Sequence, residues 1–267
     1  MVTSTPVEER YSRQADLVPA DKMKDTIFTI VGVGAIGRQI ALQLATIGAH
    51  KIHIVDFDKV EEANLGAQGF FEEDLGKPKV TAIEDTIKKI NPKCKVIADN
   101  NRFIADDPVG SVLFCCVDSI EIREFIWKAV KSKVDLFIDG RMSAEALRVL
   151  VHTKNADEQA FYESTLFRPD EAFQGACTAK TTYYSSNVVS GMMVASFAKW
   201  LRGMPYDLDV QFNLLTNELD AKSLRDIQRE ATQAAIVEAA DKEEEEDAIS
   251  ILASGAACAI PTYEAEE

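Results

Sequence analysis

The chain has 267 residues, 46% of them hydrophobic and 27% charged, enough to bury a substantial core as one large α/β domain or as one domain with an appendage. Its formal net charge of −15 sets up a field that repels nucleic acid and anionic membranes, so neither is an expected partner, although a local basic pocket for phosphate is compatible with it. No stretch resembles a signal peptide and no apolar run is long enough to span a bilayer, so the expectation is a soluble cytoplasmic protein.

Residues 1–25 are polar and carry RYSRQ at Arg10–Gln14, which reads as a lead-in arm or short helix. Ile27–Val31 (IFTIV) is a short apolar, β-rich run of the kind a buried parallel strand shows. GVGAIG follows at Gly32–Gly37, then Ile36, Ile40, Leu44 and Ile47 at helical spacing, with Gly48 as a stop. Lys51–Val55 is a second strand that ends at Asp56, completing one βαβ unit. Residues 57–77 hold turn formers and no long periodicity, which predicts a loop-rich connection. Pro78 opens a helix to about Ile90. Lys95–Ala98 and Ser111–Val117 read as strands, Ser119–Lys131 as a helix and Val134–Ile138 as a fifth strand.

Leu147–His152 alternates like the start of an antiparallel extension, and residues 153–180 read as an irregular crossover. Ser185–Leu201 is an apolar helix ended by Gly203 and Pro205, and Leu208–Leu214 is a last strand. Residues 216–240 read as an amphipathic helix and the last twenty or so as a mobile tail, with DKEEEED at Asp241–Asp247 a solvated helix end or tail rather than a site. Strands alternating with helices predict an α/β, Rossmann-like, doubly wound sheet, mostly parallel, with the antiparallel extension and the crossover. The expected organisation is an arm at 1–25, a nucleotide-binding domain at 26–215 and a helical acidic extension at 216–267.

Gly32, Gly34 and Gly37 fit GxGxxG: the first permits a tight turn, the second lets backbone approach a ligand, the third lets helix pack on strand. The helix that follows offers free N–H groups to an anion. Asp56, at the end of the next strand, is placed for ribose hydroxyls, and its charge disfavours a 2′-phosphate. These features alone fit a dinucleotide oxidoreductase as well as an ATP user.

The next segment, Asp56–Gln68 (DFDKVEEANLGAQ), closely resembles the D-x-D-x-V-x-x-x-N-L-x-R-Q stretch of the ThiF/MoeB adenylating family, whose relatives include the enzymes that activate ubiquitin-like proteins. Arg10–Gln14 is similar to that family's RY-x-RQ arm, Leu75–Val80 (LGKPKV) to its G-x-P-K helix start, and Val117–Arg123 (VDSIEIR) to its D-N-x-x-x-R stretch. Gly175–Leu201 resembles its cysteine-containing crossover and following apolar helix, so the likeness covers roughly residues 10–215 in order.

The resemblance implies that a carboxylate attacks the α-phosphate of ATP and expels pyrophosphate, a reaction that needs magnesium, cationic clamps and positioning. It implies that Asp56 binds the ribose, that Asp58 belongs to the nucleotide-binding set, that Asn64 and Gln68 order the nucleotide loop, and that Lys79 holds phosphate oxygens. It further implies that Asp118 holds magnesium, with Ser119 beside it in place of the family asparagine, and that Arg13 reaches the phosphates of a partner subunit, which implies a homodimer. Each has a bland alternative: Lys79 as a helix-surface lysine, Asp118 as a helix N-cap. The family's phosphate-clamping arginine falls at Ala67; Arg102 and Arg141 are possible substitutes.

The five cysteines, Cys94, Cys115, Cys116, Cys177 and Cys258, are odd in number and include no CxxC pair, so neither a disulfide framework nor zinc is expected. Cys177 sits where some activating enzymes carry an acceptor cysteine, with Lys180 near enough in sequence to lower its pKa; a packing role is the alternative. The implied acceptor is a small ubiquitin-like or sulfur-carrier protein, or a peptide. An NAD-dependent oxidoreductase and a non-catalytic nucleotide-binding partner stand as the rival readings.

Overall fold

A computed structural model describes residues 9–166 and 181–255. The chain divides into two compact units, Met1–Ser223 and Leu224–Glu267. In the described part, the second unit is one long helix, α8 (Leu224–Gly255).

In the first unit, after α1 (Ala20–Asp25), chain order is β1 (Ile27–Val31), α2 (Ala35–Thr46), β2 (Lys51–Val55), α3 (Glu62–Gln68), α4 (Lys79–Ile90) and β3 (Lys95–Asp99). Then come β4 (Val112–Cys115), α5 (Ile120–Val130), β5 (Leu136–Ser143), β6 (Ala146–His152), α6 (Ala156–Ser164), α7 (Tyr183–Arg202), β7 (Asp209–Asn213) and β8 (Glu218–Lys222). They form one eight-stranded sheet in the order β3-β2-β1-β4-β5-β6-β7-β8. The first five are parallel and the last three pairings antiparallel, which makes the Rossmann-like α/β sheet with its antiparallel extension.

The chain leaves β1 toward β2 and β3 on one side and returns to β4 on the other. The switch point, where an open α/β sheet opens a crevice, therefore lies between β1 and β4. Register makes the ends of β3, β2, β1 and β4 flush: Asp99, Val55, Val31 and Cys115 stand in one row across the sheet, level with Asp139 inside the longer β5. The turns after β1, β2 and β4 thus emerge side by side.

Alternation along each strand sends successive side chains to opposite faces. Phe28, Ile30, Ile52, Ile54, Phe114 and Ile138 meet α2, α4 and α7 in the larger core. Val31, Leu113, Cys115 and Phe137 meet α5 and α6, around Trp127 and Tyr162, in the smaller one.

Three expectations change. Residues 57–77 are not all loop: α3 forms there through a reciprocal cap, with the Asn64 Oδ1 accepting from the Glu61 N–H at 2.9 Å, and Gly69 at φ 77° ends it. Seven residues are too few to show helical periodicity. Within 153–166 lies α6, nucleated by Asn155, whose side chain accepts from the Asp157 and Glu158 N–H groups. Residues 216–222 are not helical: Asn217 at φ 58° and the Asn213 side chain, which accepts from Leu215 and Thr216, turn the chain into a β7–β8 hairpin. Helix α8 then runs through Asp241–Asp247 to Gly255, past the expected end near residue 240, as its Ala, Glu and Lys content favours.

Candidate nucleotide and acyl-transfer site

The glycine turn is dictated partly by the protein and partly left open. Gly32 has φ +83°, and a Cβ there would lie 2.9 Å from the Cys116 carbonyl; a Cβ on Gly37 would lie 1.9 Å from the Gly32 oxygen. Packing therefore demands both glycines. Gly34 is different: a Cβ would meet nothing closer than the Gln68 side-chain amide, at 3.6 Å. Beside that bare backbone face the Gln68 Oε1 is buried with no hydrogen-bond partner, while the Gln68 carbonyl accepts from Gln39 Nε2 at 3.0 Å. The orphaned Gln68 Oε1 is an acceptor and fits a ligand donor such as a hydroxyl or amino group, whereas the free N–H groups at the N-terminus of α2 fit a phosphate.

Asp56 ties the turn to the next segment. Its Oδ2 accepts from the Val33 N–H at 2.7 Å and its Oδ1 from the Asp58 N–H at 2.8 Å. Each oxygen keeps a lone pair for a ribose hydroxyl. Asp58 in turn holds Lys79: the Lys79 Nζ donates to Asp58 Oδ2 at 2.9 Å and its N–H to the Asp58 carbonyl at 2.9 Å. The Lys79 side chain is only 7% exposed, so it is no ordinary helix-surface lysine. Backbone bonds from Val60 to the Lys77 carbonyl and from Gly76 to the Val60 carbonyl, both 2.9 Å, strap the two segments together.

Asp118 follows β4, two residues beyond the Cys116 carbonyl that touches Gly32. It is exposed, and the cap of α5 is made by Ser119, whose hydroxyl accepts from the Ile122 N–H at 3.3 Å and donates to Glu121. Capping therefore accounts for Ser119, not for Asp118. Among the described residues no group of three or more His, Cys, Asp or Glu could hold a metal. One exposed carboxylate beside a phosphate site is a donor set that fits magnesium, which keeps most of its waters and leans on substrate phosphates.

Arg13 is not brought to this turn. Its arm docks at the other end of α2, with Tyr11 against Gly48 and Gln14 Nε2 on the Ile47 carbonyl at 2.8 Å. The 12 residues of α2 span ~18 Å. Ala67 lies on α3 near Gln68, and the two candidate substitutes differ. Arg102 stacks over the Phe57 ring at 4.0 Å, between the two acidic residues of the D-x-D segment. Arg141 is committed, with its Nε on Asp139 Oδ2 at 2.8 Å and its Nη1 on the Thr165 carbonyl at 2.9 Å.

Of two further buried arginines, Arg38 is unmarked in the sequence, whereas Arg123 is the arginine of the D-N-x-x-x-R resemblance, which gives none of its partners. Arg38, one residue past the last motif glycine, is buried over Phe70 and Phe71 at 5.0 and 5.7 Å, and burial lowers its pKa. Arg123 is buried, is paired with Asp139 and donates to the Val117 and Gly140 carbonyls. Arg38 is the single charge in α2, whereas α5 also carries Glu121, Glu124 and Lys128 and gives Arg123 no such contrast. Burial raises the thiol pKa of Cys94 to about 11, and it also raises those of Cys115 and Cys116, which stay protonated and unreactive. Cys177 and Lys180 lie outside the described residues.

Aligned strands, a glycine turn at the switch point, and Asp56, Lys79 and Asp118 on the segments that follow β2 and β4 define a protein of the Rossmann-like α/β class. The model of the ThiF family matches residues 11–240, and the chain belongs to that family. It is similar to ubiquitin-like modifier-activating enzyme 5 of Branchiostoma floridae, 27% identical over 212 residues, covering 68% of this chain and 51% of the relative. The same enzyme of Gallus gallus is 30% identical over 217 residues, covering 68% and 52%. The chain thus spans about half the length of these curated relatives.

Among solved structures, the selenomethionine form of PaaA superposes with a TM-score of 0.67 at 20% identity, covering 84% of this chain and 76% of that one. E. coli MccB with ATP gives 0.64 at 20%, covering 82% and 72%. At this identity the superpositions establish the shared fold. No described helix is long and apolar enough to cross a membrane.

Proposed function

We propose that the chain adenylates a carboxylate with ATP, the acceptor being the C-terminus of a ubiquitin-like or sulfur-carrier protein, or a peptide. The observation that carries this reading is the bonded chain from the Val33 N–H through Asp56 and Asp58 to the Lys79 ammonium, lying beside the bare face of Gly34. It aligns a ribose acceptor and a sequestered cation along one edge. The Gly32–Cys116 contact brings the Asp118 loop to the same turn.

In the reaction, an acceptor carboxylate oxygen attacks the α-phosphorus, the bond to the bridging oxygen breaks, and pyrophosphate leaves with the electron pair. Asp56 orients the ribose. Lys79 offsets charge on the phosphate oxygens, and its fixed place beside Asp58 means that no reorganisation is needed when that charge develops. Asp118 would hold magnesium, which would neutralise further charge on the phosphates. Relatives named as ubiquitin-like modifier-activating enzymes support a ubiquitin-like acceptor. Arg13 serves a second copy in this reading, since its own turn lies ~18 Å away along α2; light scattering of the full chain tests the homodimer.

The test is acceptor-dependent exchange of labelled pyrophosphate into ATP, with Lys79→Ala expected to lower it about 10²–10³-fold. No exchange with any carrier or peptide acceptor overturns the reading. A second reading, nucleotide binding without turnover, is favoured by Ala67 together with the engagement of Arg141 elsewhere. Tight ATP binding with no exchange selects it. An oxidoreductase gives no role to the Lys79–Asp58 pair, and NADH binding in place of ATP binding is the result that revives it.

A further inference from the structure

We infer that Asp139 is a positioning residue for the site: acting through Arg123, it holds the Val117–Asp118 backbone where the Asp118 carboxylate is needed. The inference rests on the adenylating site just described, with Asp118 as its metal carboxylate.

Asp139 is wholly buried on β5, in register with Cys115, the last residue of β4. A carboxylate there needs several partners to offset its lost hydration. It has three. Arg123 forms an ion pair with it, Arg141 Nε donates at 2.8 Å, and the Tyr162 hydroxyl donates at 3.1 Å. Burial raises the Tyr162 pKa, so the hydroxyl keeps its proton and acts as donor.

Each arginine then spends its remaining N–H groups on backbone. Arg123 Nη2 donates to the Val117 carbonyl and, at 3.0 Å, to the Gly140 carbonyl, so one planar fork ties the turn after β4 to the middle of β5. Arg141 donates to the Thr165 carbonyl at 2.9 Å and to its hydroxyl at 3.1 Å, fixing the C-terminal end of α6. Stability alone does not call for this arrangement, since a well-packed apolar trio in the same volume is often as stable or more so. A rigid fork on the carbonyl immediately before Asp118 fixes direction, which packing alone does not. The neighbouring Ser119 cap fixes the other side of Asp118, leaving that residue between two anchored points.

The test compares Arg123→Lys, which keeps the charge beside Asp139 but loses the fork, with Asp139→Asn and with Asp118→Asn as the reference. ATP affinity is measured by calorimetry on the full chain, in EDTA and across a magnesium titration, alongside thermal melting. Arg123→Lys is expected to raise the magnesium concentration that half-restores tight ATP binding by roughly 10-fold, the usual size of an outer-sphere positioning effect. ATP binding in EDTA should stay within about twofold of wild type, because neither residue is placed at the nucleotide itself. Asp139→Asn should show the same shift in any fraction that folds.

A variant that melts lower yet keeps the wild-type magnesium dependence makes the cluster purely structural and overturns the inference, as does a wild type whose ATP binding ignores magnesium. Binding is read without turnover, so failure of pyrophosphate exchange in the wild type strikes the adenylation reading separately.

Discussion

The two faces of the sheet are built on different principles. On one, α2, α4 and α7 meet the strands through aliphatic and phenylalanine side chains, with Phe197 edge-to-face against Phe28 and Phe114, which are tilted to each other, at centroid distances of 5.1 to 6.5 Å. On the other, α5 and α6 meet the strands through Trp127, Phe137 and Tyr162, and that aromatic cluster encloses the buried Asp139 with its two arginines. Area burial is non-directional, so the first face supplies stability and tolerates changes of shape. A buried ionic cluster is directional and costly to disturb, so the second face supplies aim. Substitutions on the two faces should therefore separate: the first lowers stability alone, the second also alters ligand linkage.

The largest effect is expected where α2 packs on the turn that leaves β1. Gly37→Val puts a Cβ 1.9 Å from the Gly32 carbonyl oxygen, a clash with main chain that no rotamer relieves. A loss above about 4 kcal/mol follows, enough to abolish soluble folded protein. Recovery of a folded variant that melts near wild type breaks the account of the turn. Next comes the apolar face itself. Phe197→Ala opens a cavity against two phenylalanines and should cost about 3–5 kcal/mol by urea denaturation, with the magnesium dependence of ATP binding unchanged. A change in that dependence erases the distinction between the faces.

The legibility of the chain follows the same division. Strand β1, the glycine turn, helix α2 and Asp56 lie within 30 residues, so local spacing alone reveals them, and each stands where it was expected. The Lys79–Asp58 pair joins residues 21 apart; the family resemblance marks each residue but not their pairing, which only the structure gives. The Asp139 cluster joins Arg123, Arg141, Tyr162 and Thr165 from three elements, and no periodicity marks such a set. That is why Arg141 read as a spare phosphate cation when it is held by Asp139 and Thr165. Helix α3 was missed for its shortness, and β8 because alternation is weak in ELDAK, where four of five residues are exposed.

The aromatic face also carries a pH dependence that the apolar face lacks. His152 packs against Trp127, Phe161 and Tyr162 at centroid distances of 6.2, 6.3 and 4.6 Å. Desolvation pulls its pKa from 6.5 down to about 3. The folded protein thus refuses a proton that the unfolded chain accepts below its ordinary pKa. Stability is lost as pH falls from that value toward the folded one, by about 2 kcal/mol at pH 5. Urea titrations at pH 7 and pH 5 should show the gap between the two conditions shrink by about that amount in His152→Phe, since the carboxylates titrate alike in both proteins. An unchanged gap means that His152 takes up its proton in the folded state.

The smallest expected effect lies at the seam between the parallel and antiparallel halves. Ser143 pairs with Ala146, so Ala144 and Glu145 make a two-residue hairpin loop, and Ala144 sits at φ 54°. An L-residue pays about 1–2 kcal/mol to occupy that region, which glycine enters freely. The loop is nevertheless held from outside: the Tyr184 hydroxyl donates to Glu145 Oε1 at 2.6 Å, and the Leu214 N–H to the Glu145 carbonyl at 3.0 Å. Those tethers keep the turn in place when its first residue is changed. Ala144→Gly relieves the strain but loosens the unfolded chain by about 0.5–1 kcal/mol, so the net gain is about 0.5–1 kcal/mol. Thermal melting should rise by about 1–4 °C with no change in ATP binding. A fall in melting temperature instead shows that the hairpin conformation is carried by its tethers rather than resisted at Ala144.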